Sequence, residues 1–180
     1  MNQQIIISGV GGQGVLFITR LLAEAFMADN CHVLTSETHG MAQRGGIVIS
    51  HLKAGGFKSP LIRPGHGDLL IALKAETLDH HKEYLKDQGT AVVNALPAEQ
   101  KSMVPQSKNI YGIDAGRLAK ADNTPGSVNI YMLGAAMAAV PACPPEKVKA
   151  QIKKRLAGKD ADLIQSAVTA FERGFSTLKP

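Results

Sequence analysis

The sequence predicts one α/β domain over residues 1–180, with a mostly parallel sheet, helices on both faces and a helical C-terminal part. The β-branched run 5–7, the glycine-rich stretch 9–14 and a following segment of helical period together predict a strand, a turn and a helix. Short apolar runs bounded by glycine or polar residues recur up to residue 114. Alternating patterns of this kind are typical of a sheet covered by helices.

The first helix is expected from about residue 12 to residue 28, because its apolar residues recur at the spacing of one buried stripe. The runs 32–36 and 47–52 predict the second and third strands. Gly55-Gly56 follows the third strand, and a two-residue glycine turn predicts a hairpin. We therefore expect an antiparallel hairpin excursion within the parallel sheet.

The middle of the chain continues the alternation of strands and helices. A fully apolar strand is expected at 68–73, and a helix follows at about 75–86. Two further strands are expected at 90–94 and 109–114. These elements complete a sheet with helices on both faces.

From residue 127 onward the pattern is all-helical. The segment 127–140 is small and apolar nearly throughout, so its helix must be buried on several sides, either across the core or against another subunit. A proline-rich break at 141–145 precedes a helix at 146–156. Asp160 is expected to cap a final helix that ends near residue 175.

Composition excludes several classes of protein. A hydrophobic content of 44% and a charged content of 19% are ordinary for a globular chain. No run approaches the ~18 apolar residues of a membrane span, and the N-terminus lacks the basic start of a signal peptide, so we expect a cytoplasmic protein without a membrane partner. The late basic residues lack interleaved aromatic residues, which argues for a solvated helix face, or second for acidic partners, rather than for nucleic acid.

Neither the cysteines nor the histidines have the spacing of a metal site. Cys31 and Cys143 lie far apart and are interpreted as free buried thiols in a reducing compartment. An iron–sulfur cluster normally takes four cysteine thiolates, so this chain cannot hold one alone. His80 and His81 are adjacent and have no ligand at helical spacing, which predicts two surface histidines.

The glycine-rich stretch carries the first candidate site. Gly9, Gly11 and Gly14 fit the spacing G-x-G-x-x-G, with Gly12 and Gln13 inside it. A strand that turns into a helix directs free backbone N–H groups and the positive end of the helix dipole at one place, which suits an anion. Gln13 can donate to a group bound at this corner. Three interpretations remain open, namely a dinucleotide, another anion and a purely structural turn.

The dinucleotide interpretation also needs an acid about 20 residues beyond the glycines to bind a ribose. Glu37 has that position, near the end of the second strand. The glycine-rich loop beyond it contains His39 and Arg44, and such loops commonly carry the sites of open α/β sheets. Arg44 can bind a carboxylate or phosphate with two hydrogen bonds, pair with Glu37 to hold the loop, or contact another subunit.

Two further kinds of site are rejected. Gly67-Asp68, with Asn94 beyond it, is similar to the start of a thiamine diphosphate motif, but Leu69 takes the third position and Asp68 opens an apolar strand. No nucleophile, histidine and acid can be grouped into a catalytic trio from their spacing.

Three stretches together resemble one family. The run 9–14, Gly-Val-Gly-Gly-Gln-Gly, resembles the opening G-x-G-G-Q-G of the γ subunit of 2-oxoacid:ferredoxin oxidoreductases. The run 36–46, from Ser36 and Glu37 through Arg44 and Gly45, resembles that family's Ser-Glu-x-x-Gly-x-x-x-Arg-Gly-Gly motif. Its His-Gly-Met-Ala-Gln-Arg-Gly-Gly form is most similar to the indolepyruvate branch, where the equivalent chain is called the β subunit. The segment 129–135 resembles the family's late Asn…Leu-Gly-Ala segment.

The resemblance implies a Rossmann-like domain of the pyruvate/ketoisovalerate ferredoxin oxidoreductase γ type, without catalytic residues of its own. It implies a cytoplasmic complex that decarboxylates a 2-oxoacid, forms an acyl-CoA and reduces ferredoxin. Thiamine diphosphate and the iron–sulfur clusters would belong to partner subunits. The glycine corner would hold an anion or part of CoA, while Ser36, Glu37, His39, Arg44 and Gly45 would face the active site or a partner.

Two alternatives are of other classes. A free-standing module that binds a nucleotide or CoA would need only the glycine corner. A small NAD-dependent oxidoreductase would also need a catalytic pair beside the nicotinamide, and no Tyr-x-x-x-Lys or comparable pair is present.

Overall fold

The computed structural model describes residues 2–39, 46–96 and 109–178, and of His39 only the backbone. The strands are β1 (Gln3–Val10), β2 (Val33–His39), β3 (Ile47–Ala54), β4 (Gly67–Ala72), β5 (Leu85–Asn94) and β6 (Ile110–Ile113). The helices are α1 (Val15–Met27), α2 (Glu76–His81), α3 (Ala115–Ala121), α4 (Val128–Ala139), α5 (Pro145–Arg155) and α6 (Ala161–Thr177).

The strands form one mixed sheet in the order β2-β3-β1-β4-β5-β6. Strands β1, β4, β5 and β6 pair in parallel along one side. Strand β3 is antiparallel to both of its neighbours, β1 and β2. The predicted sheet, mostly parallel with an antiparallel excursion, is therefore confirmed.

The position of the predicted hairpin is wrong. Strand β3 already pairs with β2 and β1 on its two sides, so no edge is free for a strand after Gly55-Gly56. The glycines instead turn the chain away from the sheet. Gly55 has a positive φ of 122° and donates its N–H to the carbonyl of His32 at 2.8 Å. The antiparallel pairs are β2 with β3 and β3 with β1, and all three strands precede the glycines.

The predicted helix over 75–86 is also too long. Helix α2 ends at His81, a short 3₁₀ helix covers Lys82–Tyr84, and β5 begins at Leu85. The first half of β5 is mostly polar, and residues 86–88 are exposed, so it lacks the apolar pattern by which a strand is recognised. Close packing explains its glycine, because a Cβ on Gly89 would lie 2.8 Å from the carbonyl oxygen of Gly67.

The two faces of the sheet are covered unequally. The larger core lies between the sheet and α1, α4, α5 and α6, and includes Ile5, Ile7, Leu69, Ile71, Leu22, Leu133 and Phe171. The smaller core lies on the other face under α2 and the loop that contains Ile62, and includes Ile6, Leu70, Ala72, Leu78, Ala91 and Val93. Helices on both faces are therefore confirmed, although one face carries only a short helix.

Helix α4 crosses the core within this chain. Eight consecutive residues, 130–137, are buried, and α4 packs closely against α6. A Cβ on Gly134 would lie 2.1 Å from the carbonyl oxygen of Phe171, and a Cβ on Gly174 would lie 2.1 Å from that of Tyr131. The two glycines therefore permit direct contact between the helix backbones.

Local capping in the C-terminal part agrees with the sequence. Asp160 accepts a hydrogen bond from the backbone N–H of Asp162 at 2.8 Å, which caps α6 as predicted. Helix α3 was not predicted, and Asp114 caps it by accepting from the N–H of Arg117 at 2.8 Å. Within the described residues, no helix has both the length and the apolar character needed to cross a bilayer.

Candidate functional site

The glycine corner lies at the carboxyl end of β1, where the chain turns into α1. Gly12 and Gly14 have positive φ values of 95° and 83°, which residues with a Cβ adopt only at a cost. Gly14 is the N-cap of α1, and its conformation directs the helix back across the sheet. The expected strand, turn and helix N-terminus are all present.

The corner is also packed against two other elements. A Cβ on Gly9 would lie 2.9 Å from Oε1 of Gln13 and 3.1 Å from Cβ of Leu73. A Cβ on Gly14 would lie 2.1 Å from Nδ2 of Asn129, in the first turn of α4. The glycines therefore bring the N-terminal turns of α1 and α4 into contact, which links the first and third motifs of the sequence.

Gln13 has a role within the chain that the sequence did not suggest. Its Oε1 accepts the N–H of Val10 at 2.9 Å, and its Nε2 donates to the carbonyl of Leu73 at 3.4 Å. The side chain therefore joins the carboxyl end of β1 to the residue after β4. Among the contacts that the structure describes, the second hydrogen on Nε2 is left to donate to the bound group that we expected Gln13 to contact.

A backbone hydrogen bond connects the glycine corner to the end of the second motif, residues 36–46. The N–H of Gly11 donates to the carbonyl of Gly46 at 3.0 Å. Gly46 directly follows Arg44 and Gly45, which lie outside the described residues. The structure thus brings one end of the second motif to the glycine turn.

The other end of the second motif lies on β2, at the edge of the sheet. Ser36 pairs in register with His51, and Glu37 pairs with Ser50. Because successive side chains on a strand point to opposite faces, Ser36 and Glu37 are on different sides of the sheet. Ser36 is half-buried and Glu37 is exposed, so the two do not form one constellation.

The order of the strands argues against a dinucleotide site. In the usual dinucleotide fold, the strand that carries the acid lies next to the first strand and parallel to it. Here β3 intervenes, so β2 is two strand spacings, about 10 Å, from β1. Glu37 is therefore displaced from the position that a ribose would require.

Asp68 and Asn94, which the sequence placed in a rejected thiamine diphosphate motif, form hydrogen bonds within the chain. Asp68 accepts the N–H of Gln4 at 2.8 Å and also pairs with Lys86. Asn94 donates to the carbonyl of Leu73 at 3.2 Å and accepts the N–H of Ala115 at 3.1 Å. Asp68 therefore connects strands of the sheet, and Asn94 connects the end of β5 to Leu73 and to the start of α3, so these residues do not fit the cofactor.

Beside the corner lies a cavity of about 580 Å³. Its wall contains Phe17 of α1, Ser127 and Asn129 at the start of α4, and Asp160 and Leu163 at the start of α6. The Oδ1 atom of Asn129 is buried and has no hydrogen-bond partner among the described residues. A concave, largely apolar site with a few polar groups is typical of small-molecule binding.

The histidine prediction is wrong for one of the pair. His80 is exposed, but His81 is only 9% exposed, because it lies on the side of α2 that packs on the sheet. Its Nδ1 is 3.1 Å from the carbonyl of Thr77. His51 on β3 is also buried, and its Nδ1 accepts the N–H of Ile62 at 3.3 Å. Burial lowers the pKa of both histidines.

The two cysteines are free. Cys143 is buried, and burial raises the pKa of its thiol to about 11, so this cysteine stays protonated at neutral pH. Cys31 is half-buried. Within residues 2–39, 46–96 and 109–178, no three His, Cys, Asp or Glu side chains are grouped as metal ligands.

Solved structures share this fold. The chain superposes on pyruvate oxidoreductase subunit PORC from Thermotoga maritima with a TM-score of 0.82 at 22% identity, over 97% of this chain and 96% of that one. It also matches a 2-oxoglutarate:ferredoxin oxidoreductase chain from Magnetococcus marinus with a TM-score of 0.83 at 21% identity. That match covers 98% of this chain and 31% of the longer chain.

The chain is also similar in sequence to subunits of oxidoreductases. Indolepyruvate oxidoreductase subunit IorB from Archaeoglobus fulgidus is 39% identical over 94 residues, which cover 52% of this chain and 47% of that protein. IorB from Methanothermobacter thermautotrophicus is 28% identical over 97% of both chains. The sequence profile described as pyruvate ferredoxin/flavodoxin oxidoreductase matches residues 4–177. The chain therefore belongs to the pyruvate ferredoxin/flavodoxin oxidoreductase family.

Proposed function

We propose that this chain is the γ-type subunit of a complex that oxidatively decarboxylates a 2-oxoacid to an acyl-CoA with ferredoxin as electron acceptor. The family match over residues 4–177 carries the proposal. Similarity to an IorB subunit over 97% of both chains supports a subunit rather than a free-standing module. The chemistry belongs to partner subunits, which supply thiamine diphosphate and the iron–sulfur clusters, and the complex is cytoplasmic.

The substrate that we propose is an aryl 2-oxoacid of the indolepyruvate type. Two similar proteins named indolepyruvate oxidoreductase subunit IorB, from Archaeoglobus fulgidus and Methanothermobacter thermautotrophicus, support this substrate. A ketoisovalerate oxidoreductase subunit, VorA, from Methanothermobacter thermautotrophicus is 30% identical over 163 residues and favours a branched-chain acid instead. The His-Gly-Met-Ala-Gln-Arg-Gly-Gly form of the second motif, residues 39–46, is the feature of this sequence that favours the indole branch.

In this proposal the glycine corner binds part of CoA, as an anion at the N-terminus of α1. The positive φ of Gly12 and Gly14 and the adjacent cavity of about 580 Å³ support it. The buried Oδ1 of Asn129 is an acceptor without a partner among the described residues, so it suits an N–H or O–H group of CoA rather than a phosphate. Ser36, Glu37, His39, Arg44 and Gly45 would then line the route to the active site or contact the catalytic subunit. The hydrogen bond from Gly11 to Gly46 supports joint action of the two motifs.

Reconstitution tests the function. The chain is purified from its native host with its partners, and the complex is assayed for CoA-dependent oxidation of indolepyruvate with ferredoxin as acceptor. We expect activity that is lost when this chain is removed and restored when it is added back. Activity that persists without the chain would contradict the proposal, and oxidation of ketoisovalerate but not indolepyruvate would overturn only the substrate.

The alternative function is a free-standing CoA- or nucleotide-binding module, and the cavity beside the corner is the observation that favours it. Calorimetry on the isolated chain separates the two functions. Micromolar CoA binding that Gly11→Val abolishes, together with no association with other chains, would favour the module. No binding by the isolated chain would leave only the subunit role.

A further inference from the structure

A second cavity, of about 320 Å³, lies at the other end of the sheet from the glycine corner. Gln4, near the start of β1, is in its wall, whereas the corner follows Val10, and six residues of strand separate the two by about 20 Å. The wall also contains Lys53, Lys58, Arg63 and His66, and includes no aspartate or glutamate. The cavity is therefore strongly basic.

Lys53 is the unusual member of this wall. It is only 8% exposed, and its Nζ lies 5.0 Å from the centre of the Phe57 ring. Among the residues that the structure describes, Lys53 has no carboxylate partner within ion-pair distance. The residue as a whole is mostly buried, and its ammonium at the cavity wall is partly removed from water without an anionic partner. Burial, and then the nearby charge of Arg63, accordingly lower the pKa of Lys53.

Asp68, a carboxylate close to this cavity, already has partners within the chain. Asp68 is next to Gln4 across the β1–β4 pair, accepts the Gln4 N–H at 2.8 Å, and pairs with Lys86. It is not part of the cavity wall. The positive charge of the cavity is thus not balanced from within the described part of the chain.

The loop that forms the outer wall is held at three points. The N–H of Ile62 donates to Nδ1 of His51 at 3.3 Å, and the N–H of Gly65 donates to the carbonyl of Glu83 at 2.9 Å. Nε2 of Gln4 donates to the carbonyl of His66 at 3.0 Å. The backbone between Lys58 and His66 is therefore fixed before any ligand arrives, which lowers the entropic cost of binding.

We propose that this cavity binds a small molecule through one or more phosphate groups, with Lys53 and Arg63 as the main ligands. A phosphate would give Lys53 the anion that it lacks, and a guanidinium can bind two phosphate oxygens at once. Lys58 and His66 lie at the wall to neutralise further charge. The volume of about 320 Å³ is at the small end of the range for ligand sites, and the Phe57 ring offers an apolar surface beside the charges.

Calorimetric titration of the full chain with pyrophosphate tests the proposal. We expect saturable binding of one pyrophosphate per chain, weakened about tenfold or more by Lys53→Met and by Arg63→Gln. Methionine keeps the buried apolar stem and removes only the charge, and circular dichroism checks that each variant is folded. The matched control is Lys154→Gln, which removes one exposed charge near the end of α5 and should leave the affinity unchanged.

Three results would overturn the proposal. They are no saturable binding by the unaltered chain, binding that survives both Lys53→Met and Arg63→Gln, and equal weakening by Lys154→Gln, which would indicate a nonspecific charge effect. If pyrophosphate does not bind but Lys53→Met dissociates the subunit complex, the cavity receives an acidic segment of a partner protein instead. These results are independent of the CoA proposal, which concerns the other end of the sheet.

Discussion

The N–H of Gly11 and the carbonyl of Gly46 are joined by a hydrogen bond of 3.0 Å, although 35 positions separate them in the sequence. Gly11 belongs to the glycine turn, and Gly46 is the last residue of the second motif. Their contact brings the last residue of the second motif to the glycine turn at the carboxyl end of β1. Disruption of either motif is therefore expected to affect the other.

Gly14→Ala should destabilise the chain by about 1–3 kcal/mol, since alanine would adopt a positive φ and its Cβ would clash with Asn129. Chemical denaturation measures the free energy of unfolding. Adding Asn129→Ala should recover the part due to the clash but not the part due to φ. Gly126→Ala is the control, because a Cβ at Gly126 meets no atom within 4 Å. Equal effects of the two alanines would contradict this account.

Gly174→Ala should cost about 3 kcal/mol, because its Cβ would lie 2.1 Å from the carbonyl oxygen of Tyr131 and force α4 and α6 apart. Gly116→Ala in α3 is the helical control. Its Cβ would meet only Oδ1 of Asp114, at 3.6 Å, so it should be neutral or stabilising by up to about 1 kcal/mol. The thermal midpoints of both variants test this, and a tolerated Gly174→Ala would show that the two helices can separate.

Stability should fall as the pH is lowered from 7 to 5. In the folded chain the pKa of His51 is lowered by burial first, and then by the charges of His81 and Lys53. The pKa of His81 is also lowered, and burial is again the largest cause. The unfolded chain therefore binds protons first, from about pH 6.5 downward, and stability is lost until the folded histidines also titrate. Denaturation midpoints across this range give the slope. His51→Gln should flatten it, whereas His32→Gln, at an exposed position, should not.

Arg44→Ala should lower the activity of the complex by about tenfold or more while leaving the thermal midpoint of the isolated chain nearly unchanged. The reason is that, in the role proposed for Arg44, its guanidinium contributes to the binding of a ligand or partner rather than to the fold. Arg20→Ala, on the exposed side of α1, is the control and should change neither quantity. Equal losses of activity and stability would show that Arg44 only braces its loop.

Strong local patterns allowed much of the fold to be predicted. The run Ile5-Ile6-Ile7 is fully buried in β1, and Asp160 caps α6. The sequence did not predict the elements that form because of contacts with residues distant in the chain. The polar start of β5 is a strand because Leu85 pairs with Gly67, and the turn at Gly55 is not a hairpin because β3 is paired on both sides.

The candidate site could be predicted only in outline. The glycine spacing indicated the corner, and the late segment that begins at Asn129 proved to contact it. Spacing alone could not show that Gln13 binds Val10 and Leu73, or that Ser36 and Glu37 are on opposite faces. His81 and Lys53 are buried only through contacts with elements distant in sequence, so no local pattern distinguished them from surface residues.

A pull-down from an extract of the native host tests most directly whether this chain works as a subunit. The tagged chain is captured, and the proteins bound to it are identified by mass spectrometry. We predict stoichiometric recovery of a larger thiamine diphosphate-binding chain and of cysteine-rich iron–sulfur chains. Recovery of this chain alone, in a folded state and with turnover of its own, would contradict the account.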